Sequence, residues 1–203
     1  MKKIMRVTNK HIFFWGEEFS NFYPCNITFK YGDKTMHFTT SEQLFMWFKA
    51  MAFNDVEIAN EILKVEHPRD AKRLGRKVKN FSDDVWYEKR KAAMKVALRH
   101  KFSDENPELK EFLLSKRFDN KTFVEASPFD KIWGIGLAEN DELADNEENW
   151  KGLNLLGKCL NEIREELLSK GCSLNENFSK HPFLDEMNSK IIEEIDKRII
   201  DNL

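Results

Sequence analysis

The sequence predicts a helix-rich α+β chain, one domain with a small β-sheet, followed by an amphipathic C-terminal helix. Three observations carry that reading. Short aromatic runs with strand character crowd the first third. From Thr40 the apolar residues recur at helical spacing in one segment after another. A single strand-like run returns at Lys121-Thr122-Phe123-Val124-Glu125-Ala126. A length of 203 residues suits one core with a terminal addition, since single cores stop growing near about 250–300 residues.

Ile12-Phe13-Phe14-Trp15 reads as a buried strand. Residues 16–24 form a loop punctuated by Gly16, Asn21 and Pro24. Ile27-Thr28-Phe29-Lys30-Tyr31 alternates as a half-buried strand should. Gly32-Asp33 turns the chain, and Thr35-Met36-His37-Phe38 returns as its hairpin partner. Thr40 or Ser41 caps a helix starting at Glu42, whose apolar face is Leu44, Phe45, Trp47, Phe48 and Met51. A second helix spans Asp55 to about Val65 and stops at His67-Pro68, because the residue before proline resists helical angles. A short third helix runs from about Arg69 to Gly75. Ser82 caps a long fourth, ending near Phe102. Asn106-Pro107 opens a fifth, ending near Ser115. After the strand at 121–126, Pro128 to Gly136 is a loop, and Asn149 or Lys151 starts a last helix that reaches about Lys170. The domain is expected to occupy 11–170. Residues 171–203 are expected to hold a polar linker and a helix with Leu184, Met187, Ile191, Ile195 and Ile199 on one stripe. That stripe docks on its own domain, self-associates or meets a partner.

Composition excludes several classes. With 33 Lys+Arg against 35 Asp+Glu, the net charge of −2 argues against a generic nucleic-acid coat protein, though not against a local basic pocket. No apolar run approaches the roughly 18–20 residues that span a bilayer. Met1-Lys2-Lys3-Ile4-Met5-Arg6 is basic with no apolar stretch after it, so no secretory signal is expected and the reading is cytoplasmic. Cys25, Cys159 and Cys172 are odd in number and lack C-x-x-C spacing. His11, His37, His67, His100 and His181 form no metal-ligand pair, so neither a metal nor a cofactor is expected.

Three clusters hold residues suited to chemistry. In Ser41-Glu42-Gln43-Leu44-Phe45-Met46-Trp47-Phe48-Lys49-Ala50, Glu42 and Lys49 are seven residues apart on one helical face. That is about 10.5 Å of helix, too far for an ion pair and suited to flanking a small ligand. Burial among apolar residues would raise a Glu pKa and lower a Lys pKa. A solvated face is the plain alternative. In Lys72-Arg73-Leu74-Gly75-Arg76, Lys72 and Arg76 share a face and suit a phosphate, or simply form a basic helix end beside Asp70. In Glu125-Ala126-Ser127-Pro128-Phe129-Asp130-Lys131-Ile132-Trp133-Gly134-Ile135-Gly136, a strand runs into a loop with an acid, an indole and two glycines. Trp133 suits base stacking and Asp130 ribose hydroxyls; a tight turn with a core tryptophan fits equally well.

Taken together and in order, these clusters resemble the YbiA-like, or NADAR domain, family. The matching stretches are Phe19-Ser20-Asn21-Phe22-Tyr23-Pro24-Cys25, Ser41-Glu42-Gln43 through Lys49-Ala50, Ala71 to Arg76, Trp86 and Lys101-Phe102. They continue with Glu125 to Pro128, Asp130 to Gly136, and Trp150-Lys151-Gly152-Leu153-Asn154-Leu155-Leu156-Gly157. Coverage runs from about residue 12 to 168. Leu153 stands where the family pattern has a polar residue, which shifts attention to Asn154.

The resemblance implies a compact, helix-rich α+β domain and an N-glycosidase. One branch of the family acts on early riboflavin-pathway intermediates, with ribose phosphate on an aminopyrimidine. Another removes ADP-ribose from guanine in nucleic acid. A module that binds ADP-ribose or a nucleotide without cleaving it is the alternative. On this reading Glu42 is the carboxylate that stabilises charge at C1′, and Lys49 is a second catalytic candidate, as a Schiff-base nucleophile toward the opened sugar. Lys72 and Arg76 are expected to hold phosphate. Asn21, Phe22, Tyr23, Asp130, Trp133, Gly134 and Asn154 are expected to contact base or ribose.

Overall fold

The computed structural model describes residues 5–169, in two compact units: residues 5–23 with 101–169, and residues 24–100. Among the described residues there are five strands and six α-helices, so the α+β class and the small sheets stand.

The first unit is built on a three-stranded sheet. β2 (His11–Phe14) lies between β1 (Arg6–Val7), antiparallel to it, and β5 (Thr122–Glu125), parallel to it. All four residues of β2 are buried, as in a strand covered on both faces rather than one that alternates. Phe19 is the hub of the aromatic core, with Phe14, Phe102, Phe112, Phe118 and Phe123 packed around it at edge-on or tilted angles. α5 (Pro107–Leu113) starts with a proline, which lacks the N–H that a first turn leaves unpaired anyway. α6 (Leu155–Ser169) lies along β5. A Cβ at Gly157 would sit 2.0 Å from the Phe123 carbonyl, so only glycine lets this helix start so close to the strand.

The second unit holds a hairpin and four helices. β3 (Pro24–Tyr31) and β4 (Lys34–Thr40) pair antiparallel around Gly32, which takes a left-handed φ of +58° at the turn. α1 (Ser41–Ala52) begins where Thr40 accepts a hydrogen bond from Gln43 N. α2 (Val56–Lys64) is capped by Asp55, and α3 (Pro68–Gly75) by His67. α4 (Asp83–Lys101) follows; its final residue belongs to the first unit. Trp47 fills the core against Phe29, Tyr31, Phe38 and Phe48.

The last helix departs from expectation. It starts at Leu155, not at 149 or 151. The N–H groups of Lys151, Leu153 and Asn154 donate to the carbonyls of Ile135, Lys131 and Gly134, so residues 151–154 lace onto the 131–135 loop. Asn154, at φ +50°, cannot continue a helix backward. β1 and the 3-10 turns at Glu142–Asp145 and Glu147–Asn149 had no strong sequence signal. The domain boundary expected at 170 and the C-terminal helix expected after it lie outside the described residues. Among the described residues no helix is long and apolar enough to cross a membrane.

Candidate functional site

The second unit holds Glu42 and Lys49 on α1, Lys72 in the last turn of α3 and Arg76 at its C-cap. Glu42 sits in the first turn of α1 and is 4% exposed. Lys49 sits in its last turn, half-buried. Those positions complement the helix dipole, but dipole complementarity does not require either group to be taken out of water. The Lys49 ammonium lies 4.1 Å from the centre of the Phe81 ring. Burial pushes its pKa below the ordinary lysine value, and Arg76 pushes the same way; Asp83 and Glu42 oppose the shift. Asp83, Arg76 and Glu42 are therefore all close enough to act on the Lys49 ammonium. Among the described residues no carboxylate lies within ion-pair distance of Lys49 or of the exposed Arg76.

The backbone explains this convergence. Met46 lies between Glu42 and Lys49 on α1, and a Cβ at Gly75 would stand 2.2 Å from its sulfur. Glycine at that position lets the end of α3 close on α1, which brings Arg76, the next residue, up to the cluster. Gln43 locks the start of α1. Its Nε2 donates to the Ile62 and Val65 carbonyls at 2.9 and 2.8 Å, and its Oε1 accepts from Thr39 N at 2.9 Å. Asp55 caps α2 and also accepts from Lys79 N at 2.8 Å, which fixes the approach to Phe81. Gln43 and Asp55 thus hold the cluster in shape. Sequence reading put neither among the site residues, although Gln43 lies inside the first cluster.

The first unit holds Asn21, Phe22, Tyr23, Asp130, Trp133, Gly134 and Asn154. Asn21 is buried, and Phe22 and Tyr23 are half-buried. Lys101, fully buried, donates through Nζ to the Ser20 carbonyl at 2.5 Å and stands 5.8 Å from the Tyr23 ring. It braces the 20–23 turn, a role that sequence reading did not assign to it. Asp130 accepts through Oδ1 from the N–H groups of Ile132 and Trp133 at 3.0 and 2.8 Å, folding the loop on itself. Gly134 is buried, and a Cβ there would meet the Glu125 and Asp130 carbonyls at 2.8 and 2.9 Å. Trp133 is half-buried.

Asn154 is bonded to the strand on both sides. It is 0% exposed, accepts from Glu125 N at 3.0 Å and donates to the Phe123 carbonyl at 2.9 Å. Its amide extends β5 as a further rung of the ladder, with both of its ends held by the strand. Among the described residues no three His, Cys, Asp or Glu side chains converge on a point that could hold a metal.

Comparison with known proteins agrees with this architecture. The chain is 40% identical over 164 residues to Protein irg-1 of Caenorhabditis elegans, covering 75% of this chain and 76% of that protein. It is 38% identical over 168 residues to N-glycosidase R617 of Acanthamoeba polyphaga mimivirus, covering 78% and 97%. It matches the NMR structure of YbiA from E. coli with a TM-score of 0.61 at 30% identity, covering 87% of this chain and 95% of that one. Residues 13–168 match the NADAR domain, and the chain belongs to that family.

Proposed function

We propose that the chain is a hydrolase that cleaves the C1′–N bond of a phosphate-bearing ribosyl compound. One observation carries this reading: a buried carboxylate and a half-buried amine of lowered pKa share α1, beside a cation from the end of α3. A pure binding module needs neither an acid nor a partly desolvated amine. The relative named N-glycosidase R617 spans nearly its whole length in the alignment, which supports the same activity class.

In the hydrolysis, water oxygen bonds to C1′ while the C1′–N pair leaves with the nitrogen, which gains a proton. Positive charge develops on C1′ and the ring oxygen, and Glu42 is the group we assign to stabilise it. Lys49 either donates the proton that the leaving nitrogen gains or, as the neutral amine, attacks C1′ of the opened sugar and expels that nitrogen, leaving a Schiff base that water hydrolyses; trapping with borohydride during turnover separates the two routes. Lys72 and Arg76 are assigned to the phosphate, whose binding energy orients the reacting centre. Asn21, Phe22, Tyr23, Asp130 and Trp133 are proposed for sugar and base. Gly134 is proposed to let the backbone of its loop come close to the substrate, as its missing Cβ lets it pack on the Glu125 and Asp130 carbonyls. The proposed setting is cytoplasmic, with self-association through the segment after Gly171 open to light scattering.

The test is a paired turnover assay followed by chromatography of the released sugar. One arm holds the ribosylaminopyrimidine phosphate, the other an oligonucleotide carrying ADP-ribosyl guanine. Cleavage in one arm alone names the substrate. Cleavage in neither, with ADP-ribose still bound, replaces the enzyme with a binding module.

A further inference from the structure

Among the described residues the Lys49 ammonium makes no hydrogen bond and no ion pair. Its close partner is a ring, that of Phe81, whose centre lies 4.1 Å away. Phe81 also meets Phe53, with centroids 5.2 Å apart and planes at 59°. Lys49 and Phe53 are four residues apart at the end of α1, so they are neighbours on one face, and the Phe81 ring lies across that last turn.

Fixed backbone brings the ring there. Lys79 N donates to Asp55 Oδ2 at 2.8 Å, and Lys79 Nζ donates to Glu57 Oε2 at 2.7 Å. Asn80 then turns the chain with a left-handed φ of +55°, a region asparagine enters more readily than most residues. After Phe81, Trp86 N donates to the Ser82 carbonyl at 3.0 Å as α4 begins. Phe81 is therefore anchored on both sides.

Burial does not account for this ring. Phe81 is 40% exposed and forgoes much of the apolar burial a phenyl group can supply. What it offers is a π face, which attracts an ammonium and not a neutral amine. The charged groups acting on Lys49 are Asp83 at the start of α4, Arg76 at the end of α3 and Glu42 on α1. Asp83 and Glu42 attract and Arg76 repels, yet none of the three is within ion-pair distance. They bias the charge without fixing its place. A lysine stem is flexible, and without a contact at its end the ammonium would swing into water.

We infer that Phe81 is a positioning residue for Lys49, holding its amine at the last turn of α1 through a cation–π contact. Its bearing on turnover rests on the N-glycosidase reading, whereas the contact is read on Lys49 without substrate, so either can fail alone.

The test uses the full chain with isotopically labelled lysine, and Lys49→Arg assigns the Lys49 signal by NMR. In wild type the ring current of Phe81 should move the Lys49 Cε protons upfield of those of other lysines, and Phe81→Leu should abolish that displacement. Leucine keeps apolar cover and removes the π face. Lys49 should then lose its proton at a pH about half a unit lower, roughly a threefold rise in the ratio of amine to ammonium. Phe81→Tyr should restore both readings, with melting temperatures close to wild type throughout. In turnover, the limb of the kcat profile that Lys49 sets should move down equally in Phe81→Leu, whether Lys49 acts as acid or as amine, with KM little changed. An undisplaced Lys49 signal in wild type, an unchanged or higher titration in Phe81→Leu, or no rescue by tyrosine overturns the contact. A raised KM with unchanged kcat makes Phe81 a substrate contact and overturns the positioning role.

Discussion

The α1–α3 cluster and the loop after β5 both carry residues that mark the family, yet they use them in opposite ways. In the loop, polar capacity goes into backbone. Asn154 bridges two groups of β5, Asp130 takes the N–H groups of Ile132 and Trp133, and Gly134 permits contact that any side chain would prevent. In the helical cluster, Gln43 and Gly75 do that structural work, while Lys49 and Arg76 make no ion pair among the described residues. A family motif therefore mixes scaffold and chemistry, and hydrogen-bond accounting sorts them.

Glu42→Gln sharpens this contrast most. It keeps the shape of α1 and removes the charge, so turnover should fall by about 10²–10⁴-fold while the melting temperature stays within a few degrees. Full turnover in a folded variant would remove Glu42 from the chemistry.

Asn154→Ala should do the reverse. Losing two buried hydrogen bonds leaves Glu125 N–H and the Phe123 carbonyl without their partner, at about 2–4 kcal/mol of stability. Asn154→Gly loses the same bonds but accepts φ +50° freely, so it should be milder by about 1 kcal/mol. Denaturant titration measures both. If neither variant loses stability and both lose turnover, the assignment of Asn154 to the scaffold is wrong.

Arg76→Ala touches an exposed side chain. Removal of one charge-assisted hydrogen bond to a phosphate predicts a KM raised about tenfold or more, with kcat less affected. An unchanged KM for a phosphorylated substrate would separate Arg76 from the anion.

What was legible in the sequence follows the range of the forces involved. Capping and periodicity act within a few residues, so Thr40, Asp55 and Pro107 marked helix starts to within a residue or two. The parallel pairing of β2 with β5 joins residues over a hundred positions apart, and no local pattern announces it. The false start of α6 has the same origin: residues 151–154 bond to 131–135, a tertiary contact that overrides local helical preference. In the site, helical spacing put Glu42 and Lys49 on one face. It gave no sign that Gly75 would bring Arg76 to them, because that depends on the missing Cβ of one residue against the sulfur of another helix.

The smallest expected effect tests the electrostatics of Lys49 directly. Its pKa in the folded chain lies below the ordinary 10.5, chiefly because burial disfavours the charged form. The unfolded chain holds the proton more tightly, so between the folded pKa and about 10.5 the unfolded state binds more protons. Stability from this group therefore rises with pH across that window, and below it the desolvation cost is fully present. Lys49→Met removes the cost but also the contact of the ammonium with Phe81, so the net change at neutral pH is small. The pH trend is the informative part: relative to wild type, the methionine variant should be favoured most at neutral pH and progressively less as pH approaches 10.5, read from urea midpoints at several pH values. Parallel curves would mean that Lys49 is an ordinary solvated lysine. The helical cluster would then offer its amine fully charged, and the Schiff-base route would lose its physical basis, while the electrostatic role of Glu42 would remain.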